Sequence, residues 1–230
     1  MERLIEFDLA ECTVRELNAF LHRPASELAG QSIRVKHPQG KHNIAVGVNA
    51  DVNVEIAGDA GYFVAGMSQR ARVTVAGNVG RSVAENLMSG SVRVRGSASE
   101  SAGASMHDGL LAIEGDAGSR CGISLKGGEI VVGGNVGHMS AFMAQAGAIV
   151  VCGDAGPGLG DSLYEAVIYV KGAIAGLGAD AQQEPMTEAD VMRVGRLLDQ
   201  AGFSHDPRAF KRVASARTLY HWNAEVHQEY

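Results

Sequence analysis

The sequence predicts an all-β fold: a right-handed parallel β-helix of about seven to eight coils with a 19-residue repeat, flanked by short N- and C-terminal α-helices. Three observations carry that prediction. Glycine recurs at positions 58, 77, 96, 115, 134, 153 and 172, equal steps of 19 residues. Apolar residues stand four and two positions before every one of these glycines, from Val54 and Ile56 to Ile168 and Val170. Small residues stand six before the later anchors (Ala71, Gly90, Gly109, Gly128, Gly147, Ala166) and seven after the earlier ones (Ala65, Ala84, Gly103, Gly122, Ala141, Gly160).

Each observation has a physical reading. Alternate β-branched residues mark a short strand with one buried face. Positions that admit only a small side chain mark tight corners. A 19-residue unit cannot enclose a core alone, but stacked copies place each strand beside its equivalent and line up ladders of Val and Ile. Parallel crossovers are right-handed in nearly all cases, which sets the expected hand. Left-handed hexapeptide helices and calcium-binding nonapeptide repeats have other periods. Composition agrees, since all but five of the 30 glycines fall between Gly58 and Gly178.

Three segments follow. Residues 1–30 read as an N-terminal strand and capping helix, the latter opened by the capping box Thr13-Val14-Arg15-Glu16 and ended near Pro24. Residues 31–178 read as the solenoid, with a first, longer step of 21 residues from Ile33 and Val35 to Val54 and Ile56. Residues 179–230 read as a helical extension and tail. Within it Thr187 to Asp190 is a second box, Gly202 the terminating residue, and Pro207 the start of a third short helix through Phe210 and Val213. These flanking helices are expected to cover the open ends of the stack.

Charge and cysteine usage exclude several functions. Lys+Arg 20 against Asp+Glu 26 gives a net charge of −6, which leaves no basic footprint for nucleic acid or an anionic membrane. Met1 to Phe7 is charged where a signal peptide is apolar, and no apolar run reaches the ~18 residues of a membrane span, so a cytoplasmic location is expected. Cys12, Cys121 and Cys152 form no CxxC and are expected as reduced, buried thiols.

The candidates for chemistry are few. Asp59, Asn78, Ser97, Asp116, Asn135 and Asp154 follow successive anchors and could be a carboxylate ladder for a metal or an acid–base pair. Neutral residues intervene, however, so the acids two or three coils apart are separated by ~10 to 14 Å, wider than a glycosidase pair. These residue types bond their own backbone in tight turns, which is the expected role. Gly176-Leu177-Gly178-Ala179-Asp180-Ala181 matches GxGxxA, but no helix follows to present its N-terminus to a pyrophosphate. His22, His37, His42, His107, His138, His205, His221 and His227 make no HxH or HExxH, and Ser68, Ser82 and Ser140 lack a GxSxG context. Arg70, Arg72, Arg81, Arg93 and Arg95 cluster on two coils. Arg72, Arg93 and Arg95 point outward, as a solvated face or a docking patch for an acidic surface. No catalytic, cofactor-binding or metal residue is assigned. Thr218-Leu219-Tyr220-His221-Trp222 places the single Trp outside the repeat, where it is expected to anchor a partner rather than cap the last coil.

With no catalytic set in view, the repeated Gly-x-x-Gly turns on a 19-residue period become the identifying feature. They resemble the GXGXG domain, the right-handed β-helix of the glutamate synthase large subunit, over about residues 31–178. The whole chain, with its tail from Ser215 to Tyr230 reading SARTLYHWNAEVHQEY, looks like the separate GXGXG subunit of N-methylglutamate synthase, also called methylamine-glutamate N-methyltransferase. That resemblance implies a non-catalytic subunit whose partners are a class-II glutamine-amidotransferase-like subunit and an FMN-binding glutamate-synthase-like subunit, FMN and the iron–sulfur cluster lying on the latter. It also implies a complex that makes N-methylglutamate and ammonium from glutamate and methylamine. Cys12, Cys121 and Cys152 match no cluster group. The alternative is the β-helical subunit of formylmethanofuran dehydrogenase or of the related formyltransferase/hydrolase complex. A third reading, an independent β-helix enzyme acting on polysaccharide, lacks aromatic platforms.

Overall fold

The computed structural model describes residues 4–216. It is a parallel β-solenoid built on one sheet, with the order β1-β2-β3-β4-β5-β6-β7-β8-β9-β11-β10. β1 (Leu4–Asp8) is followed by α1 (Val14–Leu21), the short α2 (Ala25–Leu28) and β2 (Ser32–Lys36). The repeat then supplies β3 (Asn53–Ile56), β4 (Arg72–Val75), β5 (Ser91–Val94), β6 (Leu110–Ile113), β7 (Glu129–Val132), β8 (Ala148–Val151) and β9 (Val167–Val170). Last come β10 (Ala181–Glu184), α3 (Glu188–Ala201), a 3₁₀ turn (Pro207–Ala209) and β11 (Lys211–Ser215).

Register follows the period. Ile33 pairs with Val54 across the longer first step, and Val54 then pairs with Val73, Val73 with Val92 and so on to Ile168. The inward columns through these residues and through Val35, Ile56 and Val170 are buried and form the main core. A second parallel ladder of single bridges runs through Ala60, Val79, Ala98, Ala117, Val136, Ala155 and Ile174.

Both predicted corners are real. Gly90, Gly109, Gly128 and Gly147 have positive φ, and a Cβ at Gly109 would lie 2.5 Å from the carbonyl oxygen of Gly90 in the preceding coil. Ala65, Ala84, Gly103, Gly122, Ala141 and Gly160 are all left-handed. A Cβ on Gly103 would also meet Ile130 Cδ1 at 2.5 Å, so that corner must be small for packing as well as for backbone shape. Two further left-handed positions per coil escape the sequence reading, exemplified by Phe63 and Met67 or Ser101 and Ser105. Their side chains vary, so no small-residue column marks them.

The N-terminal flank adds a strand and a capped helix but leaves the outer edge of β1 without a strand beside it among the described residues. Thr13 caps α1 with a full capping box, and Leu17, Leu21 and Leu28 are buried against the first coils. The C-terminal flank differs in two respects. The predicted third helix from Pro207 through Val213 is only the 3₁₀ turn, and the chain continues as β11, antiparallel to β9 and to β10. The open edge of β9 offers a full set of backbone partners, and that long-range pairing outweighs the local helix signal. Moreover, α3, capped by Thr187 and ended by a left-handed Gly202, does not close the end of the stack. It lies on the outer face of the sheet, where Val194, Leu197, Leu198 and Ala201 pack on Ala112, Val131, Val150 and Tyr169. Val131 is therefore fully buried rather than solvent-facing.

Candidate functional site

The row after the anchor glycines is a continuous hydrogen-bond ladder from coil to coil. Asp59 Oδ1 accepts the N–H of Asn78 at 2.7 Å, Asn78 Oδ1 that of Ser97 at 2.9 Å, and Ser97 Oγ that of Asp116 at 3.1 Å. Asp116, Asn135 and Asp154 continue it at 2.7 Å each, ending on the N–H of Ala173. These side chains thus bond the backbone one coil onward, not their own turn. The ladder also explains the anchors. A Cβ on Gly96 would stand 2.5 Å from Asn78 Oδ1, and the same collision recurs at Gly77, Gly115, Gly134, Gly153 and Gly172. Glycine is required there because a neighbour's side chain occupies the space, not because φ is positive.

The remaining candidates are likewise engaged. Arg93 donates to the carbonyls of Ala201 at 2.8 Å and Gln200 at 3.2 Å, closing the C-terminus of α3. Arg72 pairs with Asp51 and Asn53, Arg81 with Glu100, and Arg70 with Asn49. The arginine face is thus tied into the solenoid, with Arg95 left exposed beside the open groove between Arg72 and Arg93. Ser68 donates to the Ala45 carbonyl and Ser140 to that of Gly137, and Ser82 is buried.

The histidines are dispersed. Nδ1 of His37 meets Asp8 at 2.7 Å, Nε2 of His22 meets the Val46 carbonyl at 2.7 Å, and His138 meets that of Pro157. His42 stacks on Tyr62 with centroids 4.3 Å apart and accepts its N–H. Burial, and then Lys171, lowers the pKa of His205. His107 is exposed, while His221 and His227 fall outside the described residues. So does the stretch from Thr218 to Trp222, with the expectation placed on it.

Gly176 to Ala181 leads into β10 rather than a helix, so no helix N-terminus faces the GxGxxA loop. Cys121 is fully buried, which pushes its thiol up to about 12, and burial pushes Cys152 to about 11. Cys12 is only partly buried, beside α1, so the three thiols are separate and the donor set does not fit an iron–sulfur cluster. Among the described residues no group of three or more His, Cys, Asp or Glu could hold a metal ion, and no helix is long and apolar enough to cross a membrane.

One charged network escapes the sequence reading. The buried Tyr169 donates to Asp190 Oδ1 at 2.6 Å, and Arg212 of β11 reaches both Asp190 and Glu184. Arg196 adds an ion pair to Glu129 at 2.6 Å. Burial, followed by the bond to Asp190, pushes the Tyr169 hydroxyl up to about 12. The network fastens α3 to the sheet and offers no nucleophile near neutrality.

No family model matches the chain. It is 48% identical over 219 residues to Protein GlxC from Rhizobium meliloti (strain 1021), an alignment that covers 95% of this chain and 96% of the relative.

Proposed function

The chain belongs to the family of Protein GlxC, and from that premise we propose that it is a non-catalytic scaffold subunit of a glutamate-synthase-like complex. The finer reading is N-methylglutamate synthase, which converts glutamate and methylamine into N-methylglutamate and ammonium in the cytoplasm. In this reading the chemistry lies on an FMN and iron–sulfur subunit, a class-II amidotransferase-like partner completes the assembly, and the solenoid links them. The observation that carries the proposal is the ladder from Asp59 to Ala173, in which the most regular row of acids, amides and hydroxyls on the molecule is committed to backbone N–H groups.

Affinity purification of the tagged full-length chain from its own cells tests this. The amidotransferase-like and flavin subunits should co-elute, and the complex, unlike the chain alone, should form N-methylglutamate. A stoichiometric flavin band in the isolated chain would overturn the scaffold role. Co-elution with a molybdopterin or amidohydrolase-like protein instead would overturn the pathway.

A further inference from the structure

The N-terminal end of the sheet is unfinished. Among the described residues β1 pairs with β2 alone, so one of its edges carries backbone groups with no strand beside them. Leu9 N–H donates to the Lys36 carbonyl, which turns the backbone of the odd-numbered residues toward β2 and that of the even-numbered ones away. The Asp8 carbonyl is taken by the N–H groups of Glu11 and Cys12. Glu6, in the middle of the strand, therefore presents both its N–H and its C=O to the free edge.

The side chains show the same incompleteness. Ile5 and Phe7 continue the inward columns of Ile33 and Val35, which are 1% and 0% exposed, yet both are only partly buried, and Leu4 is 53% exposed. A groove lies along this edge, lined by Leu4, Ile5, Glu6, Phe20, Arg23 and Leu28. Arg23 is drawn over the Phe20 ring, 4.7 Å from its centroid, and Glu27 adds a second carboxylate to the rim. A second copy of the chain fits this edge poorly. Glu6 ends the alternating outward row Glu55, Arg34, Glu6 and is paired on its own sheet with Lys36 at 2.8 Å, an exposed pair that leaves the carboxylate open to a further cation. Two-fold pairing centred on Glu6 breaks that alternation by setting Glu6 opposite its own equivalent, and like charges directly opposed destabilise a strand pair.

We propose that the free edge of β1 takes up, as an added strand, an extended segment of another protein with the pattern apolar, basic, apolar. The basic residue stands opposite Glu6, and its two neighbours extend the columns that Ile5 and Phe7 begin. Backbone bonds supply the affinity of such an addition and alternate side chains the selectivity. That the segment belongs to a subunit of the complex rests on the function proposed above. The pairing itself does not.

The test titrates the isotope-labelled full-length chain with the capped peptide Thr-Val-Lys-Val-Thr and with Thr-Val-Glu-Val-Thr, reading backbone amide signals. The Glu6 amide should shift, and the Lys peptide should bind roughly fivefold more tightly than the Glu peptide, the scale of a cross-strand charge pair. Glu6→Pro removes the outward N–H while the β2-facing groups remain, and should abolish binding. Glu6→Lys, which keeps every backbone group, should reverse the preference. Equal affinity for the two peptides, no binding, or binding that both variants leave unchanged would overturn the proposal. So would a dimer of the free chain that Glu6→Pro dissociates, since a second copy would then be the occupant. Purification of the complex separates this inference from the function. If Glu6→Pro retains the synthase subunits, they are not the source of the strand and the function stands. If even the unaltered chain lacks them, the function falls and the peptides alone decide the edge.

Discussion

Asp116 accepts the backbone N–H of Asn135 at 2.7 Å, and the same carboxylate fills the space in which a side chain on Gly134 would begin. One contact thus specifies two positions of the repeat. The turn acid needs the next coil's amide, and the next anchor must be glycine for the acid to reach it.

The two positions should therefore be coupled. Asp116→Ala leaves an amide without its acceptor and should cost about 1 to 2 kcal/mol. Gly134→Ala evicts the carboxylate and also crowds the Gly115 carbonyl at 2.9 Å, so it should cost more. In the double variant the displaced bond is lost only once, and the sum should fall short of additivity by on the order of 1 kcal/mol. Denaturant midpoints of the four proteins measure this, and strict additivity would contradict the shared contact.

A second prediction separates corner from face. Gly109→Val meets a positive φ of 88° and the Gly90 backbone together, and should cost about 3 kcal/mol or more. Val131→Thr buries a hydroxyl beneath α3 and should cost about 1 to 3 kcal/mol. Thr74→Val lies in the same outward row, at a half-buried position that α3 does not cover, and should stay within about 0.5 kcal/mol. Equal midpoints for Val131→Thr and Thr74→Val would show that α3 does not protect the row.

The solenoid was legible because one steric demand recurs from coil to coil, so the six glycines from Gly77 to Gly172 state it six times at a fixed period, while Gly58 keeps the period through its positive φ of 144°. The ladder partner was not, because the residue types of Asp59 or Asn135 suit a local turn equally well and the accepted N–H lies 19 residues onward. The site of α3 left a signal that the reading missed. The outward row runs Glu55, Thr74, Arg93 and then Ala112, Val131, Val150, Tyr169, and a face that turns apolar halfway along must be covered there. β11 could not be read from its own residues, since the edge of β9 makes Lys211–Ser215 a strand. The candidate functional site was read as empty of catalytic groups, and Arg93 illustrates how a suggestive charge becomes a fastening once a helix arrives beside it.

That fastening gives the third prediction. Arg93→Ala removes two donors from the last carbonyls of α3 and a cation from its negative end, and should cost about 1 to 2 kcal/mol. Hydrogen exchange should quicken in the final turn, around Leu198 to Ala201, before it does in the strands. Arg72→Ala breaks an ion pair whose side chains are 54% and 59% exposed, and should change little. If both variants behaved alike, the contact between Arg93 and α3 would carry no stability.

The last prediction concerns acid. Asp190 sits where α3 begins, facing Thr187 and Arg193 on its own helix, Tyr169 on β9 and Arg212 on β11. Burial pushes its carboxyl up, but hydrogen bonds from Thr187 and Tyr169 and the charge of Arg193 together hold it below the ordinary 3.8. A carboxylate depressed in the folded state stabilises the fold above the unfolded pKa, and that contribution disappears as pH falls through the folded value. Asp190→Asn keeps one acceptor oxygen where Oδ1 serves Tyr169 and Oδ2 serves Thr187, and it loses the charge beside Arg193 and Arg212. It should therefore be less stable than the parent at neutral pH, and the gap should narrow as pH drops below 3.8. Urea midpoints of both proteins across that range measure the difference, in which the acid response of Asp8 and Glu188, common to both, cancels. A gap that stays constant with pH would mean that Asp190 acts through shape and hydrogen bonding alone, with its charge contributing nothing to the seating of α3.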